Sequence, residues 1–80
     1  MKAMKYEVIT VCNDGTTYTD NVNTLKDARA LIRSNAFFSN TVRFEVWNKD
    51  GLYAVVGRVT GNDRQLVGAW HGKPITIKVF

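Results

Sequence analysis

Few side chains in this sequence could take part directly in a reaction. The chain has 80 residues with one histidine, His71, and one cysteine, Cys12. A nucleophilic site needs a base beside the nucleophile, and no sequence pattern brings these two side chains together. Cys12 ends an apolar strand pattern, where a free cysteine is usually a small buried residue, and His71 lies in a turn pattern as a solvated residue. The sequence therefore predicts no nucleophilic site.

The carboxylates have structural explanations. Asp27 follows a predicted helix start, and Glu7 and Glu45 lie on predicted strands, where a pairing with Lys or Arg across the sheet is expected. Three aspartates lie in turn patterns, where their side chains bond the local backbone: Asp14, Asp50 and Asp63. A single His and a single Cys do not make a metal site, and the glycines have no phosphate-loop spacing. We predict that the protein is not an enzyme and uses no metal or cofactor.

Basic residues remain as the candidates for binding. Lysine and arginine number 11 against 7 acidic residues, which gives a net charge of +4. Lys26, Arg29 and Arg33 are spaced to line one exposed edge of a helix. On the uncovered face of the sheet, Arg43, Arg58 and Lys78 are predicted to surround Trp47, a mixture that suits nucleic acid or an acidic protein. The same charges could instead form an ordinary solvated surface. The candidate partner-binding residues are Lys26, Arg29, Arg33, Arg43, Trp47, Arg58 and Lys78.

The first half of the chain predicts a hairpin and a helix. Met4–Cys12 is rich in β-branched residues, Asn13–Gly15 offers tight-turn chemistry, and Thr16–Thr19 returns as a second strand, followed by a polar loop. Thr24 stands where an N-cap is expected, and Asn35 is a plausible left-handed residue at the helix end. The apolar stripe between them has helical spacing. It consists of Leu25, Ala28, Leu31 and Ile32.

The second half predicts strands joined by tight turns. Thr41–Asn48 alternates with period two, and Asn48–Gly51 reads as a turn closed by a glycine bulge. Counting back from that turn sets the predicted pairs Trp47–Leu52, Val46–Tyr53, Phe44–Val55 and Arg43–Val56. The helix-covered face would then hold Val42, Phe44, Val46, Tyr53, Val55 and Val59. The other face would hold Arg43, Glu45, Trp47, Ala54, Val56 and Arg58. Two more strands are predicted, Leu66–Trp70 and Ile75–Val79, the latter with Lys78 pointing outward.

These elements define one domain over residues 1–80. The fold class is α+β, an antiparallel sheet of five or so strands with one helix packed on one face, in the order β-β-α-β-β-β, and one more short strand is compatible with the pattern. No apolar run approaches the length of a membrane span, and lysines interrupt the first residues. We therefore expect no membrane partner and a cytoplasmic location.

The residues of the helix and the third strand also resemble a known family. The stretch Thr24-Leu25, Ala28-Arg29, Phe37 and Thr41–Val46, followed by the hairpin at Asn48–Gly51, is similar to small phage-encoded anti-CRISPR proteins, closest to a type I-F group with an antiparallel sheet and one helix. The resemblance covers about residues 1–57, and the tail Gly61–Phe80 departs from it. It implies a non-enzymatic inhibitor in the host bacterial cytoplasm that binds a type I CRISPR surveillance complex, near its RNA and DNA path, and prevents productive engagement of target DNA.

Two other functions stay open. The same basic surfaces would suit a small nucleic-acid-binding domain that has no protein target, and its affinity would fall steeply with salt. A structural homodimer of phage origin could instead form through the uncovered sheet face or through an edge strand such as Ile75–Phe80. The oligomeric state is accordingly a monomer or a homodimer.

Overall fold

The chain folds into one open sheet with a helix against it. The structure, a computed structural model, describes residues 5–38, 40–59 and 62–79. Within these ranges the elements are β1 (Tyr6–Cys12), β2 (Thr17–Val22), α1 (Leu25–Ala36), β3 (Thr41–Asn48), β4 (Gly51–Val59), β5 (Asn62–Trp70) and β6 (Lys73–Lys78). All neighbouring strands are antiparallel, in the spatial order β2-β1-β3-β4-β5-β6. The α+β class and the antiparallel sheet with one helix on one face agree with the prediction, and the described strands number six.

The first hairpin forms as its turn residues predict, but its second strand is longer. Gly15 has a φ of 88°, and its N–H donates to the carbonyl oxygen of Cys12 across 3.0 Å. The second strand was expected to end at Thr19, yet β2 continues to Val22, which pairs with Tyr6. The polar residues there are exposed, and β2 is an outer strand of the described sheet. The predicted first residue of β1, Met4, lies outside the described residues.

Both ends of α1 are held by specific contacts. Thr24 is the N-cap, and its Oγ1 accepts a hydrogen bond from the backbone N–H of Asp27 across 3.0 Å. The prediction of a left-handed Asn35 at the other end is wrong, because Asn35 lies inside the helix and the C-cap, Phe37, has a φ of −60°. The Asn35 side chain instead donates to Oγ1 of Thr10 on β1 across 3.1 Å. This contact ties the last turn of α1 to the sheet.

The pairing of β3 with β4 departs from the predicted register after its first pair. Trp47 lies opposite Leu52 as predicted, but an irregularity between Val46 and Trp47 gives β4 one extra residue, Tyr53. Val46 therefore lies opposite Ala54, and each later pair moves by one residue. The observed partners further along are Phe44 with Val56 and Arg43 with Gly57.

This shift exchanges the two faces of β4. Ala54 and Val56 were predicted on the uncovered face but are buried beneath α1, and Val55, which lies opposite Glu45, takes the uncovered face. Tyr53 packs against the core as predicted. A second irregularity, where β1 meets β3, leaves Val42 38% exposed. The side chain of Val59 lies outside the described residues.

The core is a single cluster between α1 and the sheet. Three residues of α1 are fully covered, Ala28, Ile32 and Ala36, and their largest buried neighbour in the sheet is Phe44. The remaining buried apolar members come from five strands: Val8, Val46, Ala54, Val56, Leu66 and Ile77. Among the described residues, no helix is long and apolar enough to cross a membrane. The opposite face of the sheet carries no covering element in the described part of the chain.

Candidate binding surface

Three basic residues of α1 line one groove on the helix side of the protein. Lys26, Arg29 and Arg33 are all exposed, and the helical spacing brings them to the same edge of α1, as predicted. The groove has a volume of about 530 Å³. We call it the basic groove, and its lining consists of Leu25, Lys26, Arg29, Ala30, Arg33 and Trp70.

Trp70, at the end of β5, forms the aromatic wall of the basic groove. The Cζ atom of Arg29 lies 4.9 Å from the centroid of the Trp70 ring, a cation–π contact. The ring of Tyr53 contacts the Trp70 ring edge-on, with 6.2 Å between the ring centroids. Tyr53 also stacks on His71, with 4.6 Å between their centroids. The indole is therefore held in place by its neighbours, while the guanidinium of Arg29 sits at its surface.

The charged side chains in the lining of the basic groove are all basic. None of the described residues that line it is acidic. In the part of the chain that the structure describes, no carboxylate forms an ion pair with Lys26, Arg29 or Arg33. Three uncompensated cations beside an indole can bind an extended anionic ligand, because phosphates contact the cations and flat rings stack on the indole.

The predicted second basic surface, on the uncovered face, is not assembled. Arg43 and Trp47 do lie on this face, but both bind Glu45. The Nε of Arg43 lies 3.1 Å from Oε2 of Glu45, and Nε1 of Trp47 donates to Oε1 across 2.9 Å. The carboxylate thus offsets the charge of Arg43 and fixes the orientation of the indole.

Arg58 was predicted on the uncovered face, and that placement is wrong. Because β4 contains the extra residue Tyr53, Arg58 turns to the helix side, where its guanidinium donates to backbone carbonyl oxygens at the end of α1. These acceptors include Ala36 and Phe38. Arg58 therefore holds the helix end, and its hydrogen-bonding groups are directed into the protein.

Lys78 lies apart from the other candidates on the uncovered face. It is exposed on the outer strand β6 opposite Gln65, and its neighbour in sequence, Ile77, is buried on the helix side. Two strands, β4 and β5, separate β6 from the strand of Arg43, which amounts to about 14 Å at the usual strand spacing. Lys78 and Arg43 therefore do not converge on one ligand-sized site.

The residues that could do chemistry are also far apart. Cys12 is buried opposite Thr41, at the start of β3, whereas His71 lies beside Tyr53, near the other end of the sheet. No group of three or more His, Cys, Asp or Glu residues that could hold a metal ion occurs within the described ranges. Cys12 and His71 therefore do not form one site.

A larger depression lies near the Asn48–Gly51 turn, with a volume of about 630 Å³. Its charged residues are balanced between bases and acids, namely Lys5, Lys49, Glu7 and Asp50. This balance gives it no preference for a ligand of one sign. The basic groove differs from this depression, because the charged residues that line it are all basic.

Trp70 is the member of the basic groove that the sequence interpretation did not assign. Register places Trp70 on the helix side, opposite Ala54, and likewise places Tyr18 on the helix side, opposite Thr10. The sequence does contain a signal for this placement. Residues 66, 68 and 70 of a strand share one face, so Trp70 lies on the same face as the buried Leu66.

Comparisons with protein-family models, with curated proteins and with solved structures find no match to this chain.

Proposed function

We propose that this protein is a non-enzymatic inhibitor of the anti-CRISPR type, which binds a type I CRISPR surveillance complex through the basic groove and prevents productive engagement of target DNA. The observation that carries the proposal is the convergence of Lys26, Arg29 and Arg33 beside Trp70, without an acidic residue in the lining. An RNA-guided complex presents a nucleic-acid path beside protein of mixed charge. A cationic groove with an aromatic wall is complementary to such a surface.

The family resemblance supports the same surface. Its residues Thr24, Leu25, Ala28 and Arg29 belong to the N-cap and first two turns of α1. Arg29 is at once part of the resemblance and the residue in contact with Trp70. The proposal therefore concentrates binding on α1 and removes Arg58 from the contact residues, since its guanidinium serves the end of the helix.

The test is retention of the purified protein by purified type I surveillance complexes of several subtypes. The variant Lys26→Glu/Arg33→Glu reverses two charges of the basic groove and should weaken binding at least about tenfold. The control Lys5→Glu/Lys49→Glu makes the same change of net charge at two exposed residues outside the groove and should bind as the parent does. Target-DNA binding by the complex should fall when the parent protein is bound.

Two outcomes would refute the proposal. The first is no retention by any subtype at low micromolar concentration. The second is an equal loss of binding in the groove variant and in the control, because net charge rather than the groove would then explain the interaction.

The indole beside the cations also favours a second candidate, a small domain that binds nucleic acid directly through the same groove. This candidate predicts binding of random single strands or duplex by the isolated protein at about 50 mM salt, with a log–log salt slope of about −0.9 per phosphate contacted on duplex DNA. Trp70 fluorescence should change on binding to single strands. A protein that binds the surveillance complex but no isolated nucleic acid would exclude this candidate.

A further inference from the structure

The two outer strands of the sheet differ in their protection against pairing with another chain. An outer strand presents unpaired backbone groups, which proteins commonly protect with lysine or proline. The outer strand β6 contains Lys73, Pro74 and Lys78. The outer strand β2 has the sequence TYTDNV, with neither lysine, arginine nor proline, and its Thr and Tyr residues favour strands. The open edge of this sheet is therefore β2.

The hydrogen-bonding pattern of the first hairpin shows which backbone groups of β2 point away from β1, toward the open edge of the sheet. The N–H of Cys12 donates to the carbonyl oxygen of Thr16 across 2.8 Å, so these two residues form a hydrogen-bonded pair. Such pairs alternate along antiparallel strands, and the backbone groups of the residues between them point away from the partner strand. On β2 those outward-facing residues are Thr17, Thr19 and Asn21.

Two exposed aromatic side chains lie beside the edge formed by β2. Tyr18 is 57% exposed and Phe38 is 62% exposed, although both rings are large and apolar. They line a groove of about 470 Å³ on the helix side, next to Asp20. Aromatic residues of this kind carry much of the binding energy in protein interfaces. The open backbone edge and the exposed rings therefore belong to one surface, the β2 edge.

We infer that the β2 edge pairs antiparallel with the β2 edge of a second copy of this chain, about a two-fold axis at Thr19. This register brings together the three outward-facing residues, with Thr17 opposite Asn21 and Thr19 opposite its own copy. It sets Asp20, the charged residue of β2, opposite Tyr18 of the second copy rather than opposite another Asp20. The strand is thus complementary to itself, as a two-fold interface requires.

The size of this contact predicts a weak dimer. Strand pairing over the five residues Thr17–Asn21, with the flanking rings, lies at the low end of specific interfaces, below about 1,200 Å². We expect dissociation in the range of about ten micromolar to one millimolar. Because β2 contributes no residue to the basic groove, the dimer and the proposed inhibition can fail independently.

The experiment is sedimentation equilibrium of the full chain from about 10 µM to about 1 mM. The average mass should rise from the monomer mass of 9.0 kDa toward twice that value. Thr19→Lys should raise the dissociation constant at least about tenfold, because two lysines then face each other at the axis. The control Thr76→Lys introduces the same charge on the same face of the sheet, at the protected strand β6, and should leave the dissociation constant unchanged.

A cross-link tests the register itself. Oxidation of Thr19→Cys should give an intermolecular disulfide, since directly paired strand residues have Cα atoms about 5.5 Å apart. Thr76→Cys should not, and Cys12 is buried. A chain that stays monomeric at about 1 mM overturns the inference. A second result would also overturn the inference, namely a dimer that is lost in Val67→Glu but kept in Thr19→Lys. Val67 lies on the uncovered face, so that face would then be the interface.

Discussion

The guanidinium of Arg58, on β4, donates a hydrogen bond to the carbonyl oxygen of Phe38, just beyond the end of α1, across 2.7 Å. The same group donates to the carbonyl oxygen of Ala36 and to Oγ1 of Thr41. The last carbonyl groups of a helix have no partners within it, and a cation there also interacts favourably with the helix dipole. A residue distant in sequence thus supplies the C-terminal contacts of α1.

We predict that Arg58→Met destabilises the protein by about 2 to 3 kcal/mol, because it leaves two part-buried carbonyl groups and one exposed carbonyl group without a charged donor. Chemical denaturation followed by circular dichroism measures this loss. Arg33→Met is the matched control, since Arg33 is exposed on α1, and it should change stability by less than about 0.5 kcal/mol. Equal stability of the two variants would contradict this structural role of Arg58.

Arg58 also shows why one part of this fold could not be predicted from the sequence. The segment Leu52–Val56 is apolar at every position, so it has no period-two signal that fixes which residues face the core. The extra residue Tyr53 then reverses the face of every later residue of β4. By contrast, Thr41–Asn48 alternates, and Phe44 and Val46 are buried as predicted.

Gly68 provides a prediction about the close approach of β5 to β4. A Cβ atom at Gly68 would lie 2.0 Å from the backbone oxygen of Val55 and 2.8 Å from Cα of Val56. Backbone atoms in a sheet cannot withdraw cheaply, so Gly68→Ala should cost more than about 3 kcal/mol or prevent folding.

The control for this prediction is Gly57→Ala, on the adjacent strand. Its Cβ atom would meet the backbone oxygen of Val42 at 3.2 Å, which a shift of a few tenths of an ångström relieves. The loss there should be clearly smaller, in the same denaturation experiment. Similar losses in both variants would mean that the flexibility of glycine, rather than the approach of β4, determines the cost.

The start of α1 was predictable because it depends on neighbours in sequence. Thr24→Ala should destabilise the protein by about 1 kcal/mol, since Oγ1 of Thr24 accepts the hydrogen bond from Asp27. Thr24→Ser keeps the hydroxyl and should remain within a few tenths of a kcal/mol of the parent. Thermal unfolding of the three proteins measures the difference, and equal losses for Ala and Ser would argue against capping.

The basic groove was predictable only in its helical part. The spacing of Lys26, Arg29 and Arg33 is a local property of α1, so their common edge follows from the helical period. Trp70 joins them through two strand pairings that connect distant parts of the chain. The position of such a residue depends on every register between it and the helix, and one of those registers contains the irregularity at Tyr53.

Asp14 makes the stability of the fold depend on pH, and its contribution can be measured separately from that of the other carboxyl groups. Its Oδ1 accepts a hydrogen bond from the backbone N–H of Thr16 across 2.9 Å. Hydrogen bonds from the backbone and then the side chain of Thr16 lower the pKa of Asp14 below its usual 3.8. The folded state therefore favours the ionised carboxyl, and the resulting stability is fully present above the unfolded pKa and is lost as the pH falls through the lowered value.

We expect the stability difference between the parent and Asp14→Asn to be constant near neutral pH and to shrink as the pH falls below about 3.8. Asparagine keeps an acceptor but has no titrating proton, and the other carboxyl groups titrate alike in both proteins, so the difference isolates Asp14. Thr16→Val removes the side-chain donor but keeps the backbone N–H, so part of the pH dependence should survive. A difference that does not vary between neutral pH and about pH 2 would mean that the turn binds the neutral and ionised carboxyl equally.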